Sequence, residues 1–165
     1  MKIVGSLLVT TTLALCALPA RAASDDIGLG VTLGSGYHSG VSDELSAPLS
    51  FDIGAFGRYG LNESLAAELS VFFYALSGRS TLSSEIALAY RWDVLRWVPQ
   101  LDLGFGYQLP LQDGSAAVTS RLGGGIDYLY SRNIWLGVRY HLLLELSGRV
   151  IGPSHRLSLR LEHAF

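Results

Sequence analysis

Two adjacent residues, His38 and Ser39, are the first in the chain that could supply a nucleophile and its general base. A catalytic serine needs a base such as histidine within hydrogen-bond reach of its hydroxyl group. The surrounding pattern predicts that a β-strand ends near this point, and adjacent residues of a strand point to opposite faces. The spacing therefore argues against a catalytic pair.

Other residue types that could carry chemistry also lack the spacing that such chemistry needs. Gly123-Gly124-Gly125 is not followed by the rest of a phosphate-binding motif, which favours a tight bend or close packing in a strand. Asp25-Asp26 and Asp43-Glu44 are too sparse for a calcium loop. No two histidines have the spacing of metal ligands among His38, His141, His155 and His163. The sequence therefore predicts no catalytic residue, no metal site and no cofactor.

Length and composition indicate one domain in a membrane setting. The 165 residues are 49% hydrophobic and only 16% charged, and the mean hydropathy is +0.33. Soluble domains average about 25% charged residues. The 12 Lys and Arg against 14 Asp and Glu give a formal charge of −2. Because there is no basic block, we expect no nucleic-acid partner.

The first 22 residues have the pattern of a cleaved export signal. Lys2 precedes a largely apolar run over 3–18, and Ala20-Arg21-Ala22 provides a small-residue cleavage site. The run is shorter than the roughly 20 residues that a membrane-spanning helix needs. We therefore predict a signal peptide over 1–22 and a barrel domain over 23–165. The remaining chain has no cysteine, which excludes disulfides. It also has no lysine.

Apolar and polar residues alternate with a period of two throughout the predicted domain, which indicates β-strands. In 49–61, for example, Phe51 and Ile53 alternate with Asp52 and Gly54. The pattern predicts eight strands near 27–37, 49–60, 65–75, 81–91, 98–108, 116–130, 134–146 and 155–165. The longer predicted connections are 38–48, 76–80, 109–115 and 147–154. An even number of antiparallel strands can close into a barrel without an exposed edge.

Alternation alone fits both a soluble barrel with an apolar interior and a membrane barrel with a polar interior. The charged residues favour the second arrangement, because they lie on one strand face in nearly balanced numbers and include no lysine. Balanced arginine and carboxylate suit a crowded interior, where guanidinium groups bind carboxylates through two hydrogen bonds. The predicted interior charge network comprises Asp52, Arg58, Glu68, Glu85, Arg91, Asp102, Arg121, Asp127, Arg139, Glu145, Arg156, Arg160 and Glu162.

Glycines and aromatic residues support the same orientation. An eight-stranded barrel is only just wide enough for side chains, and eight glycines share the charged face: Gly28, Gly30, Gly54, Gly104, Gly106, Gly123, Gly125 and Gly137. Membrane barrels carry aromatic girdles at both interfaces. One predicted rim comprises Tyr59, Tyr90, Trp92, Trp97, Tyr128, Tyr130, Trp135 and Phe165. The other comprises Tyr37, Phe73, Tyr74 and Tyr107.

The final segment, 156–165, resembles the terminal strand of bacterial outer-membrane β-barrel proteins. The residues that carry this resemblance are Leu157, Leu159, Leu161 and Phe165, whereas His163 departs from the pattern. The resemblance implies an assembly signal that the barrel-assembly machinery reads, and a location in outer-membrane lipid. The segment 96–107 resembles the porin-like family of small β-barrels.

Lipid A deacylase barrels are also similar to this chain in size and strand count. Their histidine and serine lie two residues apart on one face of a late strand. Neither His141 nor His163 has a serine at that spacing. The resemblance therefore does not extend to the catalytic residues.

Together these patterns predict an all-β fold, an eight-stranded antiparallel up-and-down transmembrane β-barrel. We expect both termini on the periplasmic side, and a surface partner bound weakly through loop 38–48. The predicted role is structural or interactive, with an interior plugged by charge. Two alternatives stay open: a small pore or carrier for small or apolar solutes, and a lipid-modifying enzyme.

Overall fold

The computed structural model of the protein describes residues 27–38, 49–76, 79–92, 96–112, 115–146 and 153–165. These ranges form eight β-strands: β1 (Ile27–His38), β2 (Leu49–Gly60), β3 (Leu65–Leu76), β4 (Arg79–Arg91), β5 (Trp97–Pro110), β6 (Ala117–Ser131), β7 (Ile134–Glu145) and β8 (Ser154–Ala164). Within the same ranges, no helix is long and apolar enough to cross a membrane.

The strands form a closed antiparallel barrel. Each strand pairs with the next along the chain, and β8 pairs with β1 to complete the circle. Because side chains alternate across each strand, the paired registers keep one set of residues inside all the way round. Thr32 opposite Arg160 and Arg58 opposite Glu68 are two such inward pairs. The prediction of an eight-stranded up-and-down barrel is confirmed.

Side chains and backbone groups secure the end of the barrel where β1 begins and β8 ends, which we call the terminal end. The Asn62 side-chain oxygen accepts hydrogen bonds from the backbone N–H groups of Ser64 (2.9 Å) and Leu65 (2.8 Å), as asparagine does in tight turns. The Phe165 N–H donates to the carbonyl of Ile27 over 2.9 Å. These bonds fix the β2–β3 turn and the β1–β8 seam. The opposite end is called the loop end.

The outer surface of the barrel is an apolar belt. Phe51 is 70% exposed, Leu103 59% and Leu159 63%, although such residues are usually buried in soluble proteins. The inward faces of the same strands carry Asp52, Asp102 and other buried charges. This inversion is the arrangement of a transmembrane barrel, in which apolar residues face lipid.

Two strands, β4 and β5, are each longer in the structure than the sequence pattern predicted. β4 begins at Arg79 and β5 ends at Pro110, so the predicted connections 76–80 and 109–115 shorten to 77–78 and 111–116. Thr81 pairs with Pro110, and a proline is tolerated at a strand end because its missing N–H costs little there. The other predicted boundaries lie within one residue of those observed.

Two aromatic residues assigned to the girdles face the interior instead. Tyr74 is 7% exposed, and Trp135 shares the inward face of β7 with Arg139. Their parity along the strand, rather than their nearness to a strand end, determines this orientation. Tyr90, Trp97 and Phe165 do face outward at the terminal end.

We expect an arginine at the middle of the apolar belt to destabilise the barrel. Leu103→Arg should lower the free energy of unfolding in lipid vesicles by about 2–4 kcal/mol, because a charge at the bilayer midplane loses its hydration. The measurement is a denaturant titration followed by tryptophan fluorescence.

Leu111→Arg is the matched control, since Leu111 is exposed just beyond the loop end of β5. Its expected cost is about 0–1 kcal/mol. Equal costs for the two variants would contradict the assignment of the belt to lipid.

Candidate functional site

The structure places the predicted charge network inside the barrel. All of its members except Arg91 and Glu145 are buried, and those two are partly buried. They come from seven strands, β2 to β8, because alternation turns the same face of each strand inward. Burying so many ionised groups is costly unless each finds a partner of opposite charge.

Arg121 is the centre of the largest group of contacts. Its guanidinium donates to Glu85 over 2.8 Å, to Asp102 over 2.9 Å and to Glu68 over 3.2 Å. These carboxylates come from β3, β4 and β5, and Arg121 comes from β6. One side chain therefore connects four strands across the interior.

Two arginines of β8 extend this group. Arg156 donates to both oxygens of Glu85, each over 3.0 Å, in the bidentate geometry that strengthens arginine–carboxylate pairs. Arg160 donates to Glu68 over 2.7 Å. We call the six residues the central cluster: Glu68, Glu85, Asp102, Arg121, Arg156 and Arg160. Three carboxylates and three guanidinium groups give the cluster no net formal charge.

Aromatic rings pack against the arginines of the central cluster. The Arg156 guanidinium lies 4.0 Å from the ring centre of Phe72, and that of Arg160 lies 3.6 Å from the ring centre of Phe56. Tyr74 accepts a hydrogen bond from Arg156 and donates one to Glu85 over 3.2 Å. The sequence pattern did not single out Phe56 and Phe72, and Tyr74 was predicted in a girdle, although all three rings share the strand parity of the charges.

His141 belongs to the same interior and faces away from lipid. It is 2% exposed, its Nδ1 lies 3.3 Å from Arg156, and its Nε2 lies 3.3 Å from a carboxylate oxygen of Asp102. The described part of the chain contains no group of three or more acidic, histidine or cysteine side chains that could hold a metal ion. The geometry gives His141 the position of a space-filling polar residue.

The other charged residues lie apart from the central cluster. Arg58 contacts Glu162 at 2.5 Å, and Arg139 is paired with Asp127. Arg91 lies 5.2 Å from the ring centre of Trp135. Both carboxylate oxygens of Asp52 are buried without a hydrogen bond. The structure thus divides these members of the predicted network into one hydrogen-bonded cluster, two ion pairs, and Asp52 and Arg91, which make no direct ion pair among the described residues. Glu145 is partly buried near the end of β7.

The cavity beside the central cluster is small. It measures about 10 Å³ and lies among Phe56, Phe72 and Arg160. That volume corresponds to roughly one water molecule. A second cavity, of about 70 Å³, lies at the terminal end beside Arg58 and Arg91.

Interior glycines allow this density. A Cβ atom at Gly104 would collide with the backbone carbonyl of Ile86 and with Ala87. At Gly123 it would collide with the His141 ring, which occupies the space above the glycine. The close approach of neighbours is the reason that these positions carry no side chain.

The residues of the predicted assembly signal occupy the outer face of β8. Leu157, Leu159 and Leu161 project from the belt, and Phe165 is exposed beside the seam. His163 packs against Phe165 with the two ring centres 4.6 Å apart. The alternation in β8 therefore separates the outward leucines from the inward Arg156 and Arg160.

The sequence matches no protein family model and no curated protein. The structure is similar to the Neisserial surface protein A, NspA (TM-score 0.66, 17% identity, 84% of this chain and 97% of that chain). It is also similar to the N-terminal barrel domain of Pseudomonas aeruginosa OprF (0.65, 12%, 84% and 97%) and to the outer membrane enzyme PagL (0.56, 13%, 82% and 99%). At these identities the comparisons show a shared fold, that of small transmembrane β-barrels.

We expect removal of the Arg121 guanidinium to be strongly destabilising. Arg121→Met leaves three buried carboxylates with one partner fewer each, and breaking a buried ion pair from one side costs about 3–5 kcal/mol. The free energy of unfolding in vesicles is the measurement. Arg132→Met is the control, because this arginine lies in the β6–β7 turn and is exposed; a similar loss in both variants would contradict the central role of Arg121.

Gly104→Ala should destabilise the barrel far more than Gly57→Ala does. The first Cβ meets backbone that cannot move aside, whereas the second meets only a Leu29 methyl at 3.4 Å on the outer face. Overpacking typically costs about 1–3 kcal/mol. The heat-induced gel mobility shift of the two folded variants measures the difference, and equal midpoints would show that the interior has room at Gly104.

Proposed function

We propose that this protein is an integral outer-membrane barrel with a structural or interaction role, whose interior is plugged by charge. The observation that carries the proposal is the central cluster. Arg121 is held by three carboxylates. Arg156 and Arg160 are each held by a carboxylate and by the face of an aromatic ring, Phe72 or Phe56. Side chains fixed by several partners obstruct the path of an ion through the barrel.

The location in the bacterial outer membrane rests on the apolar belt and on the shared fold. The even number of antiparallel strands suits that membrane, in which barrels carry short turns on one side and longer loops on the other. We further propose that residues 1–22 direct export and are removed. That segment lies outside the described residues, and its support is the sequence pattern alone.

Insertion by the barrel-assembly machinery is proposed from the last strand. Leu157, Leu159 and Leu161 form an outward apolar row, and Phe165 lies on the same face beyond His163. This face is available to a membrane-embedded partner before β8 pairs with β1. Loop 38–48 is proposed to bind a surface partner weakly. Apart from the backbone of His38, this loop lies outside the described residues.

A non-enzymatic role is proposed in spite of the likeness to the enzyme PagL. Among the histidines whose side chains the structure describes, His141 is the one in the central interior, and it contacts Arg156 and Asp102 rather than a serine. His155 faces outward, but its Nδ1 contacts the Tyr140 hydroxyl at 2.5 Å. Ser39, the neighbour of His38, lies outside the described residues.

We expect the folded protein to show no sustained single-channel current in planar lipid bilayers at neutral pH. The Arg139→Gln variant should also leave the barrel closed, because Arg139 is not one of the six residues of the central cluster. The measurement is single-channel recording, with Arg132→Gln as the exposed control.

A stable current in the unmodified protein would overturn the plugged barrel and support the pore. A conductance that changes in Arg139→Gln and stays unchanged in Arg132→Gln would have the same meaning. Either result would show that interior charges move aside to admit solute.

A further inference from the structure

The cavity at the terminal end is lined mainly by polar and charged residues. It measures about 70 Å³ and lies between the β2–β3 turn and the inner wall of β2, β3 and β4. Two arginines, Arg58 and Arg91, line it. The turn contributes Asn62, Glu63 and Ser64. The cavity is therefore a polar pocket with two guanidinium groups at one mouth of the barrel.

Arg91 is the arginine of the interior network that has no direct ion pair in the described part of the chain. A carboxylate oxygen lies within 3.2 Å of each of the others: Arg58, Arg121, Arg139, Arg156 and Arg160. The carboxylates of Glu162 and Asp127 act on Arg91 only at longer range. The Arg91 guanidinium has the face of Trp135 at 5.2 Å, and its Nε is buried without a hydrogen bond. Removing a guanidinium from water is costly when no anion contacts it directly.

The backbone around Arg91 is already fixed. Its N–H donates to the Ser64 carbonyl over 2.7 Å, which joins the last residue of the β2–β3 turn to the end of β4. The Asn62 side-chain oxygen is taken by two backbone N–H groups, so its NH₂ group is the part that can donate to a ligand. The pocket therefore presents donors on a rigid frame.

We propose that this pocket binds a small oxyanion, a carboxylate or a phosphate group, which gives Arg91 the direct anionic contact that it lacks. The planar guanidinium of Arg91 presents paired donors that match two oxygens of such a group. Arg58 contributes a second positive charge while Glu162 holds it in place. That the ligand comes from the periplasm depends on the proposed function, which places the terminal end there. The binding of the anion to the pocket does not depend on it.

Calorimetric titration of the folded chain in a nonionic, phosphate-free detergent tests the proposal. The probes are inorganic phosphate, acetate and a short-chain phosphatidylglycerol below its micelle concentration, each at constant ionic strength set with chloride. Saturable binding of phosphate or acetate is expected. A tighter constant for the phospholipid would assign the site to a lipid headgroup, and equal constants would assign it to a free anion.

Arg91→Gln should weaken binding by about tenfold or more, since a hydrogen bond to a charged group contributes about 1.5–3 kcal/mol. Arg132→Gln removes an exposed arginine from the same end and should bind as the unmodified chain does. Glu63→Gln removes a carboxylate that lines the pocket and should strengthen binding.

Absence of saturable binding, or equal binding by Arg91→Gln and the unmodified chain, would overturn the proposal. Equal weakening in Arg91→Gln and Arg132→Gln would do so as well, because it would reveal general charge attraction. Single-channel recording is independent of this titration, so the plugged barrel and the anion pocket can fail separately.

Discussion

A charge removed from water needs an opposite charge beside it, and this requirement governs the interior of the barrel. Glu68 and Glu85 each contact two arginines, and Arg121 contacts three carboxylates. Hydrogen bonds in such a network strengthen one another in a medium of low dielectric constant. The strands that supply these residues are consequently tied together through the middle of the barrel as well as along its wall.

The outer and inner surfaces of the barrel contribute to its stability in a different way from the surface and core of a soluble domain. The belt around Leu103 and Leu159 gains from contact with lipid. Buried apolar side chains among the described residues of the interior include the small Ala89 and Val98 near the terminal end. Phe56 and Phe72 are large and buried, yet each packs against a guanidinium group. Rings thus fill space and partly replace the water that an arginine loses on burial.

Alternation predicted the strands, the closure and the face on which each charge lies, because all three depend on a period of two. It could not identify partners. Arg121 meets Glu68 across 53 residues of sequence, and such a pair depends on strand tilt and register around the whole circle. The girdle assignment was wrong for Tyr74 and Trp135 because it used position along the strand and neglected parity. The lack of a direct ion pair at Arg91 could not be predicted either, since a nearly balanced count of charges does not specify which arginine contacts which carboxylate.

The seam between β1 and β8 has a consequence for the order in which the molecule forms. Glu68 and Arg160 are 92 residues apart, and their bond needs β8 to have reached the sheet. An open sheet that lacks β8 would leave Glu68 and Glu85 without two of their arginines, and its own edges unpaired. The native state is therefore dominated by contacts between distant segments. Such contacts make folding slow, because the chain loses entropy before they form and stabilise it. A partner that pairs with the open edges before the last strand closes the sheet would shorten the time for which those edges are unpaired.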